Sequence, residues 1–465
     1  MNKLRANCLN FRELLAQNIG VISPTMTAAL IVPLMFGTTG NMGWLAYAVG
    51  TVMLLFVALS LNQFARRTTM AGSMYNYASS GLGFTGGALC GWCLVWAYLF
   101  IGIAGTTGFT IFAGKLLSAI HINAPPVLLF AVCLAICFIL AYKDIKISTL
   151  ITLGLEVFSC ALIVLLCLIV LGHFHFAPDA AQFNFKGMSL WPLGLGVVVA
   201  IFSGVGFESS TAFGEEAVNP LKTIPRSIIW SLLITGAFFM LVTYTEVLGT
   251  RGYKTTLDQL DAPLNVLAQM YNVNFLWPLL SAGAMFSFFA LASSCMNAGS
   301  RVMFAMGRHE FFHKSTSAAH TSHGTPHVAL ATMGGVMFSV ATVSYFVLVH
   351  FGMAVLDEFN DAGTMGAAGF LGAYALVSLA APFFLKKRGE LKAKDIALCV
   401  AAMLLLVIPT VGYVYPVPPP PVNTFPYVFA AYVFIGYVRI MAMQHQKPTR
   451  VEEIGIEIRK IAQPA

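Results

Sequence analysis

Ser203-Gly204-Val205-Gly206-Phe207-Glu208 lies inside an apolar segment that runs from about Leu190 to Phe213. An apolar run of that length spans a bilayer as a helix, yet two glycines so close together leave the backbone free to unwind there. The carboxylate of Glu208 follows at once. An acid at membrane depth costs roughly 2.5 to 3.5 kcal/mol on insertion scales unless it faces protein or water, so it marks a functional position. Backbone opens inside a membrane only where it is buried in protein or lines a cavity, because an unsatisfied N–H or C=O in lipid is costly. The stretch reads as the wall of a binding site.

Composition sets the class. With 58% hydrophobic residues, 10% charged residues and a mean hydropathy of +0.79, the chain is far from a soluble domain, in which about a quarter of residues are charged. It reads as an all-α polytopic membrane protein whose partner is the lipid bilayer. The first apolar segment begins near Leu14, outruns a signal-peptide core and lacks a small-residue cleavage site, so it reads as a retained span. Cys90 and Cys93, and Cys133 and Cys137, have the one-turn spacing of metal or redox pairs, but their apolar surroundings suit small packing residues. His309, His313, His320, His323 and His327 share one loop, with neither a firm ligand spacing nor a companion cysteine. We expect no metal and no cofactor.

Twelve apolar segments are expected. They divide the chain into a tail (1–13), five spans (14–171), five more (190–385), two further spans (395–445) and a second tail (446–465). Placing both termini in the cytoplasm puts twenty of the 26 basic residues on that side. They are Lys3, Arg5 and Arg12; Arg66 and Arg67; Lys143 and Lys146; Lys222 and Arg226; Arg308 and Lys314; Lys386 to Arg388 with Lys392 and Lys394; and Lys447, Arg450, Arg459 and Lys460. Lys115, Lys186, Arg251 and Lys254 fall opposite. The positive-inside rule thus selects the orientation and accounts for the net charge of +7 without nucleic acid. In the third span, expected over 84–114, Gly83, Gly87 and Gly91 at four-residue spacing make a flat packing face, and Trp96 and Tyr98 are candidates to line a cavity.

The first span carries its own interruption, Ser23-Pro24-Thr25-Met26-Thr27, where Pro24 removes a backbone donor and clashes with the preceding turn. The two breaks lie five spans apart, the pattern of an inverted-repeat transporter with its site at the midplane. N–H groups freed at Met26 and Thr27 suit an anion, and carbonyls freed at Ile201, Phe202 and Ser203 suit a cation. A zwitterionic amino acid matches both.

Gly206-Phe207-Glu208, then Glu215-Glu216 and the run from Asn219 to Arg226, resemble the sixth-helix signature of the amino acid-polyamine-organocation transporters. Ala71-Gly72-Ser73-Met74-Tyr75, Asn297 through Arg301 to Gly307-Arg308, and Gly324-Thr325-Pro326 agree with that family's order. The resemblance implies a five-plus-five fold with the first and sixth helices unwound, and secondary active transport of amino acids or related amines. It gives the substrate-site role to Ser23, Thr25, Met26, Thr27, Phe202, Ser203, Gly204, Val205 and Gly206. The chain departs from the family at Pro24, which cannot donate to a carboxylate. A polyamine is therefore the alternative substrate, with Glu208 as an acid that can meet an ammonium group. Glu208 otherwise has a gating role or is hydrogen-bonded within the bundle. Glu215, Glu216 and Arg301 are expected to form inner salt bridges that close a gate.

Proton-coupled members of that family often carry a lysine in the fifth helix, where sodium-coupled relatives hold a metal ion. By counting, that place falls near Ser159, so the lysine is missing, and Glu156 stands one turn earlier, roughly 11 Å deep at 1.5 Å per residue. Three readings stand side by side: Glu156 carries a coupling proton; Ser293 and Ser294 with first-span carbonyls cage a sodium ion; or Glu156 only hydrogen-bonds a neighbouring helix. A membrane-embedded enzyme would need nucleophile, base or metal ligands at one depth, and none is evident. A receptor would need an output domain, and fewer than thirty residues follow Arg439.

Overall fold

The computed structural model describes residues 4–68, 72–185, 190–260 and 262–462. Lys3, Ala71 and Lys186, and the side chains of Leu190, Arg459 and Lys460, lie outside the described residues. Apart from one isolated bridge between Leu9 and Ala217, the regular structure of the described residues is helical. Its elements are α1 (Phe11–Ile22), α2 (Pro24–Met26), a π-helical turn (Thr27–Ile31), α3 (Val32–Thr39), α4 (Gly43–Ala65), α5 (Met74–Ala119), α6 (Pro126–Lys143), α7 (Ile145–His173) and α8 (Leu190–Gly204). There follow α9 (Pro220–Gly249), α10 (Pro263–Met270), α11 (Leu276–Arg308), α12 (His327–His350), α13 (Val355–Lys387), α14 (Ala393–Gly412), α15 (Phe425–Gln446) and α16 (Pro448–Ala462).

Among the described residues, eleven stretches are long and apolar enough to cross a membrane. The first, Phe11–Ala65, has 55 residues. At 1.5 Å per residue it would reach roughly 80 Å as one rod, more than twice a bilayer core. It is not one rod, because Gly40 adopts the non-helical angles φ 56 and ψ −126 and ends α3. The outer helices show large apolar side chains all along one side: Leu128, Val157, Val343, Leu404 and Phe434 are exposed, as only a lipid-facing surface allows. The protein is a multi-pass membrane protein.

The bundle centre is formed by α5, α11 and α13, with α1 packed against α7, α9 and α11, and α4 against α8 and α9. The third span is longer than its expected limits of 84–114: α5 covers 46 residues and bends at Gly83 (φ 78, ψ −175). Gly83 is therefore a bend residue and not part of a flat packing face; a Cβ there would meet nothing within 4 Å. Gly91 does serve close packing, since a Cβ would lie 2.7 Å from Met306 Sδ on α11. The second tail also differs from a plain extension. Its helix α16 is amphipathic, and Ile454 and Ile458 are buried against the bundle. The histidine series is split between separate partners, with His309 bonded to Tyr75 and His320 to Tyr142.

Candidate functional site

The first break is a single residue. Ser23 takes the left-handed conformation (φ 49, ψ 71), after which α2 restarts with Pro24 in its first turn and passes into the π-helical turn. Proline is harmless at that position, since a first-turn N–H has no intrahelical partner. The second break follows α8, where residues 205–208 form a turn with Gly206 at φ 91. A side chain at Gly206 would run into Val21 of α1, so the two breaks touch each other through a position that has no room for a Cβ.

Beside this crossing lies a cavity of about 490 Å³. Its walls are Met26, Leu30, Ile101, Ala104, Val199, Phe202, Leu356 and Phe359, with Ser203, Asn360 and Thr364 supplying polar atoms and Asp258 with Gln259 at the end away from the chain termini. Most of its lining is apolar, as expected of a small-molecule site. Of the residues expected to bind substrate, the cavity brings together Met26, Phe202 and Ser203. The Ser203 hydroxyl is held by Tyr47 of α4 at 3.1 Å.

Others lie behind this wall. Ser23 pairs with Ser287 of α11 at 2.9 Å. Thr25 donates from its N–H (3.4 Å) and its hydroxyl (3.3 Å) to Glu156 Oε1, and its hydroxyl also meets Ser159 at 2.8 Å. Thr27 is fully buried, and its hydroxyl has no partner among the described residues. The expectation of free N–H groups at Met26 and Thr27 is corrected: the first bonds Ser23 O at 2.9 Å and the second bonds Pro24 O. The tight turn after Ser23 consumes them. The anion that meets the start of α2 is the protein's own Glu156.

Gly204 faces Leu54 of α4, where a side chain would collide, and Val205 is buried in the turn. Trp96 is not brought to the cavity. It donates to Met365 O at 2.8 Å and packs on Tyr432 and Phe429, because positions 96 and 98 face opposite sides of α5. Tyr98 points inward and donates to Glu208 Oε1 at 3.0 Å. Tyr374 of α13 donates to Glu208 Oε2 at 2.5 Å and accepts from Gly206 N–H at 3.0 Å. Both oxygens of Glu208 are thus held by tyrosines, and none of the three residues lines the cavity.

The side carrying the termini holds two arginine pairs. Arg301 meets Glu216 with two contacts of 2.5 and 2.8 Å, both side chains having no solvent exposure, while a third donor bonds Asn297 O at 3.0 Å. Phe213 lies under the guanidinium at 4.4 Å. Arg308 holds Glu215 at 2.6 and 3.2 Å. The opposite side has the pair Arg251 with Asp179, a half-exposed arginine on a buried carboxylate, joining two loops at 2.6 and 2.5 Å. Burial raises the Asp179 carboxyl, but its bonds from Arg251 outweigh this and hold it below its ordinary range.

Ser293 and Ser294 point to different helices. Ser293 meets Ser148 of α7 at 3.3 Å, whereas the Ser294 hydroxyl, unpartnered among the described residues, faces Gly20 of α1. Sequence reasoning missed Tyr374, Tyr47 and Asn18, whose side-chain oxygen accepts from Ser210 N–H at 2.7 Å. It also missed Glu246 of α9, buried with neither carboxylate oxygen bonded among the described residues. Its signal was in view, an acid within an apolar span.

Comparison with known proteins places the chain among permeases. The chain is 28% identical over 392 residues to the branched-chain amino acid permease BcaP of Lactococcus lactis, covering 79% of this chain and 81% of that one. It is 25% identical to BcaP of Bacillus subtilis (68% and 73% covered) and 27% identical to the low-affinity putrescine importer PlaP of Escherichia coli (68% and 71% covered). Among solved structures, a Na+-coupled sialic acid symporter in a substrate-bound outward-open state matches the fold with a TM-score of 0.53 over 86% of this chain and 89% of that one, at 13% identity. The amino acid permease profile matches residues 14–448, and the chain belongs to that family.

Proposed function

We propose that this chain is a secondary active transporter that moves an amino acid with an apolar side chain across the cytoplasmic membrane by alternating access. The observation that carries this reading is the cavity of about 490 Å³, with mostly apolar walls, at the crossing of the two broken helices. The likeness to branched-chain amino acid permeases supports it. The putrescine importer keeps a polyamine as the second reading, but a diamine asks for an anion at each end. Asp258 is the single acid lining the cavity among the described residues, and the tyrosines occupy Glu208. Labelled isoleucine should therefore exchange into isoleucine-loaded proteoliposomes, with unlabelled leucine competing and putrescine not competing. Saturable putrescine exchange that isoleucine leaves untouched would reverse the order of the two readings.

The topology that fits is twelve passes in two inverted five-helix repeats plus two further helices, with both termini in the cytoplasm. It rests on the sidedness of the basic residues and on the two breaks five passes apart. In that orientation the cavity opens outward and the Arg301–Glu216 and Arg308–Glu215 pairs close the cytoplasmic side. Cysteines replacing the exposed Lys254 and Lys394 in a cysteine-free protein should react with an impermeant reagent from opposite faces of the membrane. Reaction of both from one face contradicts the map.

Glu156 is the residue we assign to proton coupling. It grips the start of α2 through Thr25, so a change in its charge changes its hold on the very segment that must move. A sodium cage has less support, because Ser293 is turned toward Ser148. With an imposed inward proton gradient, wild type should accumulate isoleucine several-fold, and Glu156→Gln should exchange it without accumulating it. Accumulation by Glu156→Gln equal to wild type, or accumulation driven by sodium alone, rules this role out.

A further inference from the structure

On the side of the bundle that carries the termini, the end of α4 meets the beginnings of α9 and α14. A recess of about 400 Å³ there is lined by Arg66, Arg67, Lys392 and Lys394, and an adjoining one of about 640 Å³ by Arg66, Lys222 and Arg226. Arg66 belongs to both. The acids in this lining are already engaged: Glu390 is bonded by Arg67 at 2.6 Å and by Arg388 at 2.8 Å, and Asp395 accepts from Lys392 N–H at 3.0 Å, closing the first turn of α14. The side chains of Arg66, Lys222, Arg226, Lys392 and Lys394 meet no carboxylate among the described residues. Six basic and two acidic side chains leave an excess of four positive charges around one concavity. The starts of α9 and α14 add the positive ends of two helix dipoles.

The second recess is also greasy. Leu221 and Trp230 line it and are exposed, and the exposed Leu233 and Ile234 continue the apolar surface along α9 toward the bilayer centre. Trp230, one turn beyond Arg226 on α9 and facing the same recess as Arg66 at the end of α4, gives the pairing of tryptophan with arginine found at the level of lipid headgroups. An anion that needed charge alone would gain nothing from that apolar track. An amphiphile with its phosphate among the arginines and its acyl chain along α9 uses both halves.

We propose that this recess between α4, α9 and α14 is a binding site for an anionic phospholipid, whose phosphodiester sits among Arg66, Arg226, Lys392 and Lys394. The site is independent of which substrate is carried, since none of its residues lines the central cavity. Each basic side chain near a membrane surface favours an anionic headgroup by about fivefold, so removing two should weaken binding about 25-fold.

The test is thermal unfolding of the purified full chain in neutral detergent, titrated with phosphatidylglycerol, with phosphatidylcholine of the same acyl chains, or with inorganic phosphate. Wild type should be stabilised by phosphatidylglycerol at about a tenth of the phosphatidylcholine concentration, and not by millimolar inorganic phosphate. Arg66→Gln/Arg226→Gln should lose the preference. If that variant does not fold, Lys392→Gln/Lys394→Gln carries the same expectation. Lys143→Gln/Lys146→Gln, basic residues of the same side outside the recess, should keep it. Equal response to the two lipids, an unchanged preference in the recess variants, or equal loss in the Lys143/Lys146 control overturns the site. Stabilisation by inorganic phosphate alone overturns the lipid assignment in favour of a free anion.

Discussion

Replacing Arg301 by glutamine is expected to cost about 3 to 5 kcal/mol of the stability of this conformation, because it strands a buried carboxylate. Glu216 has no solvent exposure, and its partner contributes two hydrogen bonds as well as its charge. Water cannot reach Glu216 to compensate, and Phe213 loses the cation that lies over its ring. Thermal unfolding of the purified variant should begin well below that of wild type. Isoleucine exchange should fall at least about a hundredfold, since roughly 2.8 kcal/mol corresponds to that factor. The double variant Arg301→Gln/Glu216→Gln removes both charges and should recover a large part of the stability, because two neutral amides of similar shape can bond each other. A coupling of at least about 2 kcal/mol in the double-mutant cycle is the expected result. Strictly additive losses, or an Arg301→Gln protein that unfolds with wild type, contradict a buried pair that closes the cytoplasmic side.

The contrast between the two ends of the bundle gives this pair its proposed place in the cycle. On the terminus side, a fully buried pair, a half-buried pair and the N–H groups of Cys8 and Leu9 on Glu216 O hold the chain together. On the other side the cavity reaches Asp258 and Leu260, and the Arg251–Asp179 pair has a half-exposed arginine on a buried carboxylate. In the proposed cycle, opening toward the cytoplasm would break Arg301 from Glu216, and substrate contacts with the closed cavity would offset that cost.

Both breaks were legible in the sequence because their causes are local. Pro24 and the pair Gly204 and Gly206 disturb a helix through their own backbone chemistry, whatever surrounds them. The pairing of Glu216 with Arg301 was legible because charges inside an apolar chain must find each other. Cavity lining was much less so. Trp96 and Tyr98 are two residues apart and face opposite sides of α5, and only packing against α13 and α15 decides which faces inward. Gly204 could be identified as a weak point in the helix, but its direction, toward Leu54 rather than the cavity, depends on how α8 is rotated against α4. Free donors at Met26 and Thr27 were expected from a break of several residues; a left-handed Ser23 makes the break one residue long and leaves only Thr25 N–H for Glu156. Tyr374 was invisible for a further reason. A tyrosine in an apolar span has no signal of its own, and its role comes from a glutamate 166 positions away.

The central claim is that the substrate sits in the cavity between the broken helices, and Gly363 offers the most direct test. Gly363 lines that cavity on α13, and a Cβ there would meet nothing within 4 Å. A larger side chain can therefore enter the space without displacing backbone, and the protein should fold and unfold as wild type does. Equilibrium binding of labelled isoleucine to purified wild type and to Gly363→Phe is the measurement. The account predicts saturable binding to wild type and a loss of at least about a hundredfold in Gly363→Phe, about 2.8 kcal/mol. Equal affinity in a folded Gly363→Phe protein would place the substrate elsewhere.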